Sequence, residues 1–433
     1  MLTETETRLT RALAARADWI AALMDWYRET SRDVEGITRP SWGEVEEQGL
    51  ERIAEVCAEL GLEVVRDEVG QLFATLPGAQ RDLPQLLIGS HFDSVNRGGH
   101  YDGYAGVLAA LGTLAAMVDA GVTPERDVTL IGMRGEESPW YGIAYIGSRF
   151  TCGDLGWEEM KALRRVDTGK TLPEHIAALG YDPEAVRAVA GTPRINATNT
   201  ARYMELHIEQ GPVCEDAGIS AAIPTAIRGN VRLPRVTCTG VHAHASGAPF
   251  GQRYDAVLAT VEVLHRFEKW WKARRAKSGS DALLTVGKIH TDPGQEAMTV
   301  VPGACSFSFN YSSTDAAEIA RGVAELERLL NTVAEDRRVR FEIGFRTGSS
   351  PQALDAGLRS DLARAAKDLD LEALSFPVGG HDAQVFAKSG IPAAMVLVRN
   401  QNGSHNPHEA MEMAHFQEAA AIYALAAARF AVA

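Results

Sequence analysis

The sequence predicts an α/β protein, a mostly parallel sheet carrying a smaller inserted βαββαβ domain. Three observations lead there. In the first half, short apolar runs alternate with helical stretches, the rhythm of a parallel sheet covered by helices. After about Ile223 that rhythm gives way to strand, helix, two strands, helix and strand, a complete ferredoxin-like unit. From Ser349 the α/β alternation returns. The expected division is a catalytic domain of residues 1–222 and 349–433, interrupted by an inserted lid and dimerisation domain of residues 223–348. A chain of 433 residues is long for one domain, which agrees with that division.

The strands of the larger domain are read from QLLIGS at Gln85, VTLIGM at Val128, RYMELHIE at Arg202 and PAAMVLV at Pro392. Helical segments such as AGVLAALGTLAAMVDAG, from Ala105, separate them. In the insert the order is strand RLPRVTCTG, helix DAVLATVEVLHRFEKWWKARR, strands ALLTVGKIH and ACSFSFNYSS, helix DAAEIARGVAELERLLNTVAEDR and strand RVRFEIGF. Neither repeats nor low-complexity tracts are found.

Composition narrows the function. The formal net charge is −14, with no compensating run of Lys or Arg, which argues against nucleic acid or an anionic membrane as partner. A small molecule is the expected partner. The N-terminus MLTETETRLTRALAARADW has charges throughout and no apolar h-region, and no window approaches the roughly 18 apolar residues of a membrane span. A soluble, cytoplasmic protein is expected. Cys57, Cys152, Cys214, Cys238 and Cys305 are scattered without a CxxC pair, which fits reduced, packed thiols and leaves no thiolate zinc knuckle.

Chemistry-bearing residues gather where strands end. In an open α/β sheet, ligands bind beyond the carboxyl ends of the strands. His91 follows QLLIGS, Glu136 and Glu137 follow VTLIGMRG, His207 lies in MELHIEQGP, and His405 follows AAMVLVRNQNGS. Asp102 stands a short glycine-rich loop after His91. Nitrogen and oxygen donors of this kind suit two divalent cations, Zn²⁺ most simply, with Mn²⁺, Co²⁺ or Ni²⁺ also compatible. Asp102 is the candidate bridge, since a carboxylate can offer one oxygen to each ion. Of the adjacent pair Glu136 and Glu137, one can bind metal while the other acts as general base, and spacing alone leaves the two roles interchangeable.

The segments GSHFDSV, GGHYDGYAGV, RGEESPWYG, ELHIEQGP, GVHAHASGAPFGQRYDA, GGHDA and NGSHNPHE follow one another over most of the chain. In that order they resemble the dinuclear amidases that include N-carbamoyl-L-amino acid hydrolase, β-alanine synthase, allantoate amidohydrolase and ureidoglycolate amidohydrolase. The resemblance implies one metal held by His91, Asp102 and His207 and a second by Asp102, Glu137 and His405, with Glu136 as general base. It implies a homodimer formed through the inserted domain, and a histidine of that domain, His244, stabilising the oxyanion. Asp93 resembles the carboxylate that orients the His91 imidazole, and Gln210 the contact to the substrate's ureido group. His242 departs from the family's pattern and has no assigned role, nor does His381. His175, His265 and His290 read as surface or packing residues. The implied reaction is hydrolysis of a linear amide or ureido C–N bond. An aminoacylase or dipeptidase would use the same machinery, and a metal-stabilised binding protein without turnover is the alternative of another class.

One departure bears on the substrate. Family members that act on carbamoyl amino acids or allantoate carry Asn in an NVIPG segment and Arg in a following DxR, which together grip the substrate carboxylate. The corresponding segments are TVVPG and NYS, so Thr299 and Ser312 occupy those positions. A hydroxyl cannot replace a fixed guanidinium against a carboxylate. Arg228 and Arg399 are the available cations. Ordinary N-carbamoyl-L-α-amino acids are therefore expected to be poorer substrates than ureido or amide compounds whose acid group is displaced, shorter or missing.

Overall fold

The protein's fold is described by a computed structural model covering residues 2–433. Two compact units are present, Met1–Thr225 with Leu354–Ala433, and Ala226–Ala353.

The larger unit is built on an eight-stranded sheet. At its centre the strands Val128–Met133, Gln85–His91, Thr200–Ile208 and Ala393–Val398 run side by side, all parallel. Val128–Met133 and Ala393–Val398 are buried at every position, as continuous apolar runs must be when helices cover both faces of a sheet. The flanks are mixed. Leu72–Leu76 and Glu63–Arg66 add antiparallel strands on one side; on the other, Ala221–Ala222 joins antiparallel to Ala393–Val398 and Ala373–Leu374 pairs parallel with it. These short flanking strands escaped the sequence reading because two to five residues hold too little periodicity to be seen.

Helix Tyr104–Asp119 is the buried pillar of this unit. Nearly all its residues are buried, so it shows no polar face; it lies against the sheet and between helices Glu4–Ala15 and Met413–Ala431. Its first turn approaches the sheet so closely that a Cβ on Gly106 would lie 2.0 Å from the carbonyl oxygen of Leu206. That contact seats the helix start directly against the strand that presents His207.

The smaller unit has four principal antiparallel strands in the order Leu283–Thr285, Ala304–Ser313, Gly229–Thr239, Arg340–Ile343, with short Ile289–Thr291 and Thr347–Ser349 pairing at the sides. Ala304–Ser313 alternates strictly: Cys305, Phe307, Phe309 and Tyr311 are buried against helices Ala256–Ser278 and Ala316–Arg337, and the residues between them turn to the opposite face. The single strand expected over ALLTVGKIH is broken at Gly287, where Lys288 and Ser308 exchange hydrogen bonds in place of a regular ladder. All five cysteines are unpaired, four of them buried. Among the described residues no helix is long and apolar enough to cross a membrane.

Replacing Gly106 with Ala should force the pillar helix off its strand. Overpacking of this kind costs about 1–3 kcal/mol, so a thermal melt of G106A should show a lower midpoint. An unchanged midpoint would mean the close seating contributes nothing.

Candidate metal centre

Because the four central strands are parallel, their carboxyl ends lie along one edge, and the turns leaving that edge deliver the polar residues. His91 ends its strand, His207 is the next-to-last residue of its strand, Glu136 and Glu137 follow Met133, and His405 follows Val398 by a short loop. Asp102 sits just before the pillar helix. Between them Gly103 adopts φ 67°, and a Cβ there would lie 2.4 Å from the His91 ring, so only glycine lets the helix start pass the imidazole.

The Asp102 carboxylate occupies the middle. Its Oδ1 lies 3.4 Å from His91 Nε2 and 3.1 Å from His207 Nε2, while its Oδ2 lies 3.4 Å from His405 Nε2. Glu137 Oε1 stands 3.4 Å from the same His405 nitrogen. Two sets of potential ligand atoms result, His91, Asp102, His207 and Asp102, Glu137, His405, each gathered within 4.8 Å. The imidazoles are aimed. His91 Nδ1–H donates to the backbone carbonyl of Asp93 (3.0 Å) and His207 Nδ1–H to that of Ile208 (3.0 Å), which leaves both Nε2 atoms facing Asp102.

Residues outside the two sets hold them in place. The buried Asp93 accepts the backbone N–H groups of Glu136 (3.2 Å) and Glu137 (3.1 Å) and the Ser41 hydroxyl (2.7 Å), and its Oδ1 lies 3.4 Å from His91 Nδ1. It therefore shapes the two-glutamate turn as well as facing the imidazole. Glu409 accepts the N–H groups of Tyr101 (2.8 Å) and Asp102 (3.3 Å), and Ser404 lies within hydrogen-bond distance of both Glu409 Oε2 (2.5 Å) and Asp102 Oδ2 (2.7 Å). The fully buried Arg39 bonds the carbonyl of His100 (3.2 Å) and packs its guanidinium over the rings of Tyr27 and Tyr104 at 4.0 and 5.3 Å. Sequence reading passed over Arg39, Ser404 and Glu409; SHNPHE held two of them, but only the folded loop shows that they grip Asp102.

The electrostatics are those of acids and imidazoles crowded together out of water. Burial opposes ionisation of Asp102, yet His207, His405 and His91 together hold its carboxyl well below the usual range. Burial and then the Asp102 charge push Glu137 up to about 8. Burial, opposed by His91 and reinforced by Glu137, raises Glu136 well above the ordinary value. Glu137 Oε1 is buried with no hydrogen-bond partner. Oxygen and imidazole donors, an orphaned carboxylate oxygen and an acid shared between two groups fit divalent cations.

The other expected residues fall in several places. Gln210, at φ 65°, donates its amide N–H to Asp102 Oδ2 (2.7 Å). His381 lies edge-on to His207, ring centroids 4.5 Å apart, with its Nε2 buried and unbonded; burial, then His207, push it down to about 3, so it is neutral. In the smaller unit, His244 and Val300 are paired, which puts Thr299 beside them, and both His244 and Thr299 are exposed. Ser312 lies in strand Ala304–Ser313 of that unit. His242 accepts the backbone N–H of Gly303 (3.2 Å). Arg399 Nε is 2.5 Å from Glu215, and Arg228 Nε is 3.4 Å from Asp281. An anion arriving at either arginine would compete with that carboxylate.

A carboxylate shared by two imidazole and carboxylate sets, at the carboxyl edge of a parallel sheet, defines a metal-dependent hydrolase. Residues 75–429 match peptidase family M20/M25/M40, and the chain belongs to that family. Its chemistry is the metal-dependent hydrolysis of a linear amide C–N bond. An N-carbamoyl-L-amino acid amidohydrolase of Geobacillus stearothermophilus is 30% identical over 376 residues, 86% of this chain and 88% of that protein. An allantoate amidohydrolase of Escherichia coli is 30% identical over 399 residues, 90% of this chain and 92% of that one. The crystal structure of a hydantoinase/carbamoylase family amidase from Burkholderia multivorans superposes with TM-score 0.84 at 25% identity, covering 96% of this chain and 98% of that one.

If Asp102 serves both sets, Asp102→Ala removes a ligand from each, and elemental analysis should find metal content falling towards zero. Retention of two metals per chain would show that the sets are independent.

Proposed function

We propose that the protein hydrolyses the C–N bond of a ureido or N-carbamoyl compound, with Glu136 as general base. The observation that carries this reading is the placement of Asp102, one oxygen towards His91 and His207 and the other towards His405, with Glu136 beside the cluster but outside both ligand sets. Two divalent cations, Zn²⁺ most simply, would be held by His91, Asp102 and His207 and by Asp102, Glu137 and His405, and would polarise the carbonyl and acidify water. Glu136 takes a proton from the attacking water and returns it to the departing nitrogen. The names of the relatives, N-carbamoyl-L-amino acid amidohydrolase, allantoate amidohydrolase and ureidoglycolate hydrolase, support a ureido substrate.

His244 supplies the donor to the developing oxyanion. Its Nδ1 accepts the backbone N–H groups of Ser246 (3.2 Å) and Gly247 (3.1 Å), which leaves the exposed Nε2 as the N–H donor an oxyanion needs. The smaller unit serves as the dimer interface in this reading. Its edge strand Leu283–Thr285 is open, with Leu283 exposed, and helix Ala256–Ser278 exposes Leu258 and Val261.

Glu136→Gln should keep its metals and lose turnover by about 10²–10⁴-fold, the usual contribution of a positioned base. Loss of metal in this variant, with turnover lost and metal kept in Glu137→Gln, would exchange the two roles. Where His244 acts across the dimer, mixing inactive Glu136→Gln and His244→Ala chains should restore part of the activity. No recovery after verified subunit exchange would confine each site to one chain.

A further inference from the structure

At the edge of the larger unit's sheet, helix Ala356–Asp368 and the last strand, Ala373–Leu374, border a groove of about 430 Å³. That is within the roughly 300–1,000 Å³ of small-molecule sites. The residues lining it all belong to the larger unit and include no candidate metal ligand. Arg359, Ala363 and Lys367 follow one another at four-residue intervals, so they form one stripe of the helix along the groove. The small Ala363 leaves the space, and the two cations stand at its ends, their Cα atoms about 12 Å apart. Ile223, Ala366, Leu371 and Leu374 give the groove an apolar floor.

The two ends differ in charge. The helix turns tightly into the strand, with the Leu371 N–H donating to the Ala366 carbonyl (2.9 Å), so the strand runs back along the helix. Glu372, the only acid lining the groove among the described residues, therefore falls at the Lys367 end. The Arg359 end has hydroxyls, Ser360 and Ser375, and the Ser375 hydroxyl already donates to the Ile223 carbonyl (3.0 Å). Arg359 is half-buried, its Nε is out of water with no hydrogen-bond partner, and among the described residues no carboxylate pairs with it. The acids near it in the chain are engaged: Asp355 accepts the Leu358 N–H (2.8 Å) and Asp361 meets Arg202 (2.7 Å). A donor held out of water and unbonded is costly until an acceptor reaches it. We propose that this groove binds an organic monocarboxylate, its acid group against Arg359 and its apolar body along the floor. The Nε–H and one Nη–H of a guanidinium form a fork that matches the two oxygens of a carboxylate. Ser360, beside it, supplies a further hydroxyl. Such binding needs neither metal nor turnover and is independent of the ureido-hydrolase reading.

The test is calorimetric titration of the full-length protein with hexanoate, hexanamide and inorganic phosphate. Hexanoate should bind at least about 10-fold more tightly than hexanamide, which keeps the body and lacks the charge. Arg359→Gln removes the fork, and Ala363→Leu fills the groove while leaving a good helix former on an exposed helix face. Each should weaken hexanoate at least about 10-fold with the melting midpoint kept. Hexanoate affinity unchanged in either variant would put the acid elsewhere, the metal centre included, and overturns the proposal. Absence of hexanoate binding at millimolar concentration overturns it too. Phosphate binding as tightly as hexanoate, with the same dependence on Arg359, would leave a general anion contact and overturns the assignment to an organic acid.

Discussion

One buried carboxylate sets the conditions for the rest of this site. Asp102 sits at the meeting point of three imidazoles and Glu137, with one oxygen turned to each side. A lone ionised carboxylate at that depth would be strongly disfavoured and would keep its proton. Asp102 stays ionised because His207, His405 and His91 surround it. The geometry of the edge can be understood as what it takes to hold this acid in place.

Three supports do so from different parts of the chain. Glu409 and Ser404, in the loop that presents His405, take the backbone and side chain of the Asp102 loop. Arg39, buried among aromatic rings, holds the loop from its other side through the His100 carbonyl. Asp93 ties the Glu136–Glu137 turn to the His91 strand, so that a carboxylate without a place in either ligand set fixes the direction of two carboxylates and one imidazole. Removing any one of these contacts leaves a polar group unpaired, so the contacts form one connected network around the ligands.

The smaller unit is held together by apolar packing rather than around a buried acid. Its helices and the inward face of its sheet form a closed apolar core. The alternation of the strands leaves the second face free to vary without disturbing that core. Thr285, Asn310, Arg232 and Thr347 lie on that second face, while Phe307, Phe309 and Tyr311 hold the packing on the first. The larger unit has no such freedom around Asp102, where even a methyl at Gly103 meets the His91 ring.

The central strands, the pillar helix and the six chemistry-bearing residues at the strand ends were legible in the sequence. Continuous apolar runs specify buried strands locally, and a histidine or acid placed directly after such a run has few places to go. Arg39, Ser404 and Glu409 were not legible, and neither was the part Asp93 plays under the two glutamates. Each acts on a group distant in the chain, and in sequence each looks like an ordinary polar residue of a loop or strand. The pairing of Arg399 with Glu215 and of Arg228 with Asp281 was equally hidden, because whether a cation is free depends on which carboxylate folds against it. Sequence alone determined which residue types arrive at the edge of the sheet, since hydrophobic periodicity is a local property of the chain. Strand register and loop packing decided which atoms face one another, because a shift of one residue turns every side chain to the opposite face, and that choice is made by the fold as a whole.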